Sequence, residues 1–359
     1  MGVTPTAPAD PADPAVPAVP PARPAVLAID AGNSKTDAAL IAADGTVLGT
    51  GRSGGFQPQR TGVEEAVDVL GRAVAEAAEA ATLPLPLPGG GRGAGPGALY
   101  ADQVSACLAN ADLPVEERQL ADAIGARGWG SATRVFNDTF AILRAGLSGG
   151  EPPRGVAVVC GAGINCVGMR PDGRTARFPA LGQISGDWGG GGGLAAEALW
   201  WAARAEDGRG GPTELAAALP GHFGLGSMAE LIEALHLGAL AQGRTHELVP
   251  VLFSVAAAGD AVASAIVERQ ADEVVALASV ALARLDLLEE EAPVLLGGGV
   301  LTAGHEQLDE RIAAGLARRA PRARVSVVSA PPVLGAGLLG LDALGALPEA
   351  HGKLRAHFG

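Results

Sequence analysis

The sequence predicts an internally duplicated α/β protein with a cleft between its two halves. Two observations carry this. Three glycine-rich loops each close an apolar, strand-like run. They are Asp30-Ala31-Gly32-Asn33-Ser34-Lys35-Thr36 after Val26–Ile29, Gly161-Ala162-Gly163-Ile164-Asn165 after Val156–Val159, and Gly297-Gly298-Gly299 after Val294–Leu296. One such loop is a weak signal, since tight turns also use glycine. Three, spread over both halves, suit two similar domains closing over one nucleotide. The second observation is an order of elements that occurs twice: strand, glycine loop, strand, Asp-Gly turn, strand.

Residues 1–24 are almost all Pro, Ala and Val and read as an extended, disordered tail, so folded structure is expected from Ala25. Val26–Ile29 is a buried strand. Asp37–Ala42 and Thr46–Gly51 then form a hairpin around Asp44-Gly45, a dipeptide that accepts the positive φ such turns require. Glu64–Ala81 is a helix, with Val63, Val67, Leu70 and Val74 on one stripe. Pro84 to Gly97 alternates Pro and Leu before a glycine run and reads as a surface loop between helix and strand. Val104–Leu108 and Arg134–Phe136 are strands, the second entering a helix over Asp138–Ala145.

The second half opens with the strand Val156–Cys160. Cys166–Met169 pairs with Arg174–Phe178 across Asp172-Gly173. Helices are expected at 194–206, 227–237, 260–286 and 305–319, with the strand Val294–Leu296 between the last two. Pro331-Pro332-Val333-Leu334-Gly335-Ala336 opens the final helix. The chain thus divides into a tail (1–24), a first domain (25–140, with the loop 84–97), a second domain (141–334) and a C-terminal helix (335–350).

Composition narrows the partners. The 359 residues leave room for two domains and a large core, and 48% are apolar. The net charge of −13, with Lys and Arg scattered, argues against nucleic acid. An acidic protein holding an anionic nucleotide has to rely on backbone N–H groups and a metal ion. Cys107, Cys160 and Cys166 lack a CxxC spacing and read as free thiols of a reducing compartment. No run approaches the roughly 18 apolar residues of a membrane span. The N-terminus lacks the basic start and apolar stretch of a signal peptide. A cytoplasmic location and no membrane partner follow as expectations.

The P-loop pattern is absent, because no second glycine precedes Lys35-Thr36. The Rossmann fingerprint fails where Cys166 stands for its third glycine. A glycine loop running directly into a hairpin differs from both: the turn itself offers N–H groups to phosphate. Asp30 closes the strand before the first loop, where it either holds hydrated Mg²⁺ or caps the turn. Lys35 either neutralises phosphate or is a solvated hairpin residue. Asp112 ends the run Ala106-Cys107-Leu108-Ala109-Asn110-Ala111-Asp112, and the Leu113-Pro114-Val115-Glu116-Glu117 that follows makes a helix N-cap its alternative role.

Together these segments resemble the N-acetylglucosamine kinase branch of the actin/hexokinase/Hsp70-type ATPases, close to the BadF/BadG ATPase family. The likeness covers roughly residues 25–345. It implies duplicated actin-like (ribonuclease H-like) ATPase domains with an interdomain cleft. In it, Gly32, Asn33, Ser34, Lys35 and Thr36 form the first phosphate motif and Phe136-Asn137-Asp138 the connecting segment. Gly161, Ala162 and Gly163 supply the second phosphate motif. Gly297, Gly298, Gly299 and Val300 lie flat against the adenosine. Asp112 is the catalytic base and a sugar contact, and Asp30 and Asp138 are the carboxylates nearest Mg²⁺, Asp138 having a helix N-cap as its alternative role.

The substrate contacts implied by the resemblance are Phe56, Gln57, Ile164, Asn165, Ala180, Leu181, Gly182 and Asp187. Gln57 stands where relatives place an asparagine. Ser185-Gly186-Asp187-Trp188-Gly189 resembles the family's Gly-Asp-Glu-Gly-Ser segment with Trp188 in place of the glutamate. Trp188 either stacks on a sugar or belongs to the core. The glycine run Gly189–Gly193 either serves the site or is a flexible lead into a helix, and Trp200-Trp201 read as core or dimer surface. Ala162 replaces a threonine and removes one hydroxyl contact.

The expected function is therefore phosphorylation of the 6-hydroxyl of an amino sugar by ATP and Mg²⁺, N-acetylglucosamine first, by a protein that pairs as a homodimer. Two other classes stand beside it. A BadF-type activator would need accessible cysteines for an iron–sulfur cluster. A sugar-responsive regulator of the repressor-kinase type would carry a helix-turn-helix that a Pro-Ala tail cannot form, while a non-catalytic sugar sensor without one stands as an alternative because Ala162 and Trp188 depart from the family pattern.

Overall fold

The computed structural model describes residues 23–83, 100–149 and 153–359. The expected loop at 84–97 and residues 1–22 of the expected tail lie outside the described residues. The first half runs β1 (Pro24–Ala31), β2 (Thr36–Ala42), β3 (Val47–Ser53), α1 (Pro58–Thr61), α2 (Val63–Ala80), β4 (Ala101–Leu108), α3 (Pro114–Ala126), β5 (Gly130–Asn137) and α4 (Thr139–Gly146). Structure begins one residue ahead of expectation, with Pro24 as the first residue of β1, a position where a missing N–H is tolerated.

The second half runs β6 (Gly155–Cys160), β7 (Ile164–Met169), β8 (Thr175–Arg177), α5 (Gly190–Glu206), α6 (Leu215–His222), α7 (Met228–His236), α8 (Leu248–Ala257) and α9 (Ala261–Arg284). It continues through β9 (Ala292–Gly297), α10 (Glu306–Arg319), β10 (Ala323–Val327), α11 (Pro332–Ala343) and α12 (Pro348–Phe358).

The duplication is topological. The first sheet has the order β3-β2-β1-β4-β5 and the second, read from its other edge, β8-β7-β6-β9-β10. In both, the opening strand pairs antiparallel with its hairpin partner and parallel with the strand beyond the helical crossover. The two hairpin turns share their chemistry. The Asp44 carboxylate accepts from Thr46 N and the Asp172 carboxylate from Arg174 N, while Gly45 and Gly173 take the positive φ.

The apolar runs are continuous because both faces of each opening strand are covered. Leu27, Ile29 and Ala31 of β1 face the core under α2, whereas Val26 and Ala28 face α11. In β6, Val156 and Val158 face the core of the second half, and Ala157 faces Phe140 and Leu143 of α4. Helices α4 and α11 thus form the layer between the sheets. Although α11 follows the second sheet in sequence, it packs on β1 of the first.

Several elements lack a local signal. Strand β10 is an edge with exposed residues on both faces, so no alternation marks it. Helix α6 contains Pro220 and α8 is apolar nearly throughout. The helix opening at Pro332 is not the last, since α12 follows it. Among the described residues no single helix is long and apolar enough to cross a membrane.

Candidate active site

The first glycine loop joins β1 to β2. Gly32 N donates to Lys35 O at 2.9 Å, which leaves Asn33 and Ser34 exposed at the tip. Thr36, expected on phosphate, is fully buried, and its hydroxyl donates to Gly54 O at 2.9 Å, so it anchors the loop instead. Lys35 Nζ pairs with Asp37 at 2.9 Å. Gln57 Nε2 donates to Asn33 O at 2.9 Å, and its Oε1 accepts from Arg60, so the amide expected to read a sugar is engaged in fixing this loop. The Phe56 ring is fully buried in the first core, which corrects its expected contact. What Phe56 presents is its carbonyl, accepting from Asn110 Nδ2 at 3.3 Å.

Asp112 lies in the turn between β4 and α3. It is not the cap of that helix: Leu113 holds the N-cap position, and the Glu116 carboxylate accepts from Asp112 N at 3.1 Å and Leu113 N at 2.9 Å. The Asp112 side chain is left for the cleft. Its Oδ1 accepts from Asn137 Nδ2 at 2.8 Å, and among the described residues no group donates to Oδ2. Asn137, at the end of β5, is itself fixed, because its Oδ1 accepts from Thr139 N at 3.0 Å and from Asn165 Nδ2 at 3.1 Å. A hydrogen-bonded line therefore joins Asn165 of the second half to Asp112 of the first.

Carboxylates crowd this point. Burial, helped by the charge of Asp138, pushes Asp30 up to about 8. Burial again leads for Asp112, raised to about 7 with Asp138, Glu116 and Asp187 adding repulsion while Arg177 opposes it. Asp138 rises to about 6 through burial, opposed by hydrogen bonds around Thr139. It occupies the cap position of α4 but makes no capping bond; the Asn137 side chain accepts from Thr139 N in its place. Two buried, mutually repelling carboxylates are the oxygen donors a hard divalent cation takes. Among the described residues no cluster of three or more His, Cys, Asp or Glu could cage a metal. Mg²⁺ keeps waters and substrate phosphates in its shell, so Asp30 and Asp138 would suffice as its protein ligands.

The second and third glycine loops form one unit with α5. Gly191 N donates to Gly161 O at 2.8 Å and Gly192 N to Ala162 O at 2.9 Å, so the start of α5 docks on the β6–β7 loop. A Cβ on Gly190 would stand 2.3 Å from the Gly163 carbonyl carbon, and its φ is +70°. Gly189 and Gly190 are thus close-packed rather than a flexible lead-in, whereas Gly193 has open space where a Cβ would stand. Gly298, at φ +83°, would place a Cβ 2.4 Å from Cys160 O, and Val300 N donates to that same oxygen at 3.0 Å. Val300 and Ile164 are buried in the second core. Burial of the Ile164 side chain runs against its expected sugar contact, whereas flat backbone packing at Val300 is compatible with its side chain lying in the core. Ala162, Gly163 and Gly299 are exposed.

The stretch from Ala180 to Gly190 is tightly wound. Ala180 (φ +53°), Gly182 (+73°) and Gly186 (+84°) all take left-handed conformations. Leu181 N donates to Ser185 Oγ at 2.8 Å, and the Ser185 hydroxyl donates to the Asp187 carboxylate. Asp187 comes near enough to Asp112 to raise it. Leu181 and Gly182 are exposed. Trp188 turns the other way. It packs on the second core, donates Nε1–H to Glu197 at 3.2 Å and carries the Arg269 guanidinium 4.1 Å from its ring centre. Trp201 also packs there, while Trp200 is half exposed.

Asn110, Arg177 and Glu117 were missed by sequence reasoning. Asn110 (φ +63°) donates to Asn33 Oδ1 at 3.0 Å, joining the Asp112 turn to the first loop. Asparagine is enriched in that conformation, so Asn110 after a strand was a usable signal. Arg177 and Glu117 are 60 residues apart, and no local pattern announces their pairing. All three cysteines are buried, and burial pushes their thiols up, which removes the accessible ligands an iron–sulfur reading needs.

The family model of the BadF/BadG/BcrA/BcrD ATPases matches residues 27–340. The chain belongs to that family. It is 27% identical over 193 residues to the N-acetylmuramic acid/N-acetylglucosamine kinase of Clostridium acetobutylicum, covering 54% of this chain and 62% of that protein. It is 26% identical over 211 residues to the N-acetyl-D-glucosamine kinase of Dictyostelium discoideum, covering 58% and 65% respectively. The match thus spans less than two thirds of either relative. A solved structure from Chromobacterium violaceum, assigned as an N-acetylglucosamine kinase, superposes with a TM-score of 0.65 at 23% identity, covering 89% of this chain and 99% of that one. The likeness is one of fold, extending over nearly the whole of both chains.

Proposed function

We propose that this ATPase-family chain is an ATP-dependent carbohydrate kinase that phosphorylates the 6-hydroxyl of an amino sugar, N-acetylglucosamine first. The observation that carries the reading is the Asp112 carboxylate. One oxygen is held by Asn137, the other has no donor among the described residues, its affinity for a proton is raised to near neutrality, and a second carboxylate, Asp187, lies close by. Phosphoryl transfer asks for in-line positioning, charge neutralisation and a group to take the acceptor's proton.

In this reading Asp112 accepts the proton of the sugar 6-hydroxyl through Oδ2. Asp187 orients vicinal hydroxyls, since each carboxylate oxygen accepts two directional hydrogen bonds. Asn165 faces the same space from the second half. Backbone N–H groups of Asn33 and Ser34, and of Ala162 and Gly163, receive the phosphates, while Gly298 and Gly299 leave room for the nucleoside. A bound Mg²⁺, held by Asp30 and Asp138, would neutralise phosphate charge. Closure of the halves excludes water and limits hydrolysis. The relatives named above support the substrate class, and the Clostridium enzyme's name adds a muramyl sugar to those worth testing.

The experiment is ADP release with Mg-ATP and a panel of N-acetylglucosamine, glucosamine, N-acetylmannosamine and N-acetylmuramic acid, with Asp112→Asn in parallel. A sugar-stimulated rate that falls by about 10²–10⁴ in the variant supports the kinase and its base. ATP bound without stimulation by any sugar counts against it and favours a sensor.

A further inference from the structure

The base-bearing turn is gripped from across the cleft. Arg177, on β8 at the edge of the second sheet, donates from Nη1 to Glu117 Oε2 at 2.9 Å, and its Nη2 lies 2.8 Å from Glu117 Oε1. Glu117 belongs to α3, in the first half. Nη2 also donates to Ala111 O at 3.3 Å and to Asp112 O at 3.4 Å. A planar guanidinium suits this double task, because its fork meets a carboxylate bidentately and still has N–H groups for carbonyls. The anchor behind it is firm: Arg284 of α9 donates to Arg177 O at 2.9 Å, and the Arg177 guanidinium lies 5.8 Å from the centre of the Phe140 ring of α4. Both partners are mostly shielded, so the pair is screened less than a surface ion pair.

We propose that Arg177 is a positioning residue: from the second half it holds the turn that carries Asp112, and so ties closure of the two halves to the placement of the base. The Asn165–Asn137–Asp112 line fixes the carboxylate, and Arg177 fixes the backbone behind it. With the halves apart both restraints are lost together. The base is then competent only when the cleft is shut, which couples phosphoryl transfer to the exclusion of water. This rests on Asp112 being the base, whereas the tether itself does not depend on any activity.

The test compares Arg177→Gln and Arg177→Lys with the full-length protein in two measurements. The first is amide hydrogen exchange across residues 109–117. Losing the tether is expected to speed exchange in Arg177→Gln by about ten-fold there and not in the second sheet. The second is turnover with Mg-ATP and N-acetylglucosamine. A misplaced base is expected to lower kcat about ten-fold or more while KM for ATP stays within about two-fold. Arg177→Lys should recover part of both effects, since an ammonium still pairs with Glu117. Unchanged exchange at 109–117 overturns the tether, whatever the turnover. Faster exchange throughout the molecule, or faster local exchange with unchanged kcat, overturns the positioning role. A wild-type protein that phosphorylates no sugar sinks the kinase reading, and the exchange measurement still decides the tether.

Discussion

Asp112 shows how environment alters the acidity of an ordinary side chain. Desolvation raises its proton affinity to near 7, and Asp138, Glu116 and Asp187 push the same way. A general base must be ionised, so the sign is set: kcat/KM is expected to fall as pH drops below about 7, by about ten-fold per pH unit, and to level off above it. A pH profile checks this, and a profile flat down to pH 5 would remove Asp112 from the role. Asn137 completes the picture at this scale. Its amide donates to Asp112 and accepts from Asn165, so one residue orients the proposed base and touches the second half.

At the scale of elements, helix α5 and the β6–β7 loop behave as a single part. The first N–H groups of α5 bond the carbonyls of Gly161 and Ala162, groups that an open loop would leave to water. Only glycine fits that approach at position 190. Gly190→Ala meets both a close contact and an unfavourable φ, and it is expected to displace the loop and raise the Kd for ATP by about ten-fold or more. Calorimetric titration of the variant reads this out; an unchanged Kd would separate the loop from the nucleotide. The hairpin after each glycine loop carries its own turn chemistry, which is why both halves form the same unit from different residues.

For the whole molecule, the connection between halves runs through α4 and α11. Arg144 of α4, almost fully buried, forms a bidentate pair with Asp342 of α11 at 2.7 and 3.1 Å. His351 of α12 contacts the same carboxylate at 2.8 Å. Removing one partner strands a buried charge, so Asp342→Ala is expected to cost about 3 kcal/mol of stability. Chemical denaturation measures it, and a loss no larger than that of an exposed substitution would contradict it. The carboxyl is held below its ordinary value mainly by the Arg144 guanidinium, against the opposing pull of burial. Its contribution is therefore complete above about pH 4, the unfolded value, and is lost as pH falls through the lower folded value. The α4–α11 layer is thus held by a shielded ion pair, while Arg177 and Asn165 bond from the second half to the first.

What the sequence alone determined is whatever consecutive residues encode. The apolar runs of β1 and β6, the glycine loops behind them and the two Asp-Gly turns are local signals, and they sufficed for the duplicated architecture; Asp112, expected at a strand's end, lies past the end of β4 in the turn to α3. Tertiary structure decided which way side chains face and which distant ones meet. Thr36, Phe56, Ile164 and Val300 stand in or beside loop motifs, yet each is drawn into a core or an anchoring bond. Asn33 meets Asn110, Asn137 meets Asn165, and Arg177 meets Glu117, pairs that no sequence window contains. The reason is physical: backbone preference acts over a few residues, whereas side-chain burial and pairing depend on elements brought together only when the two sheets dock.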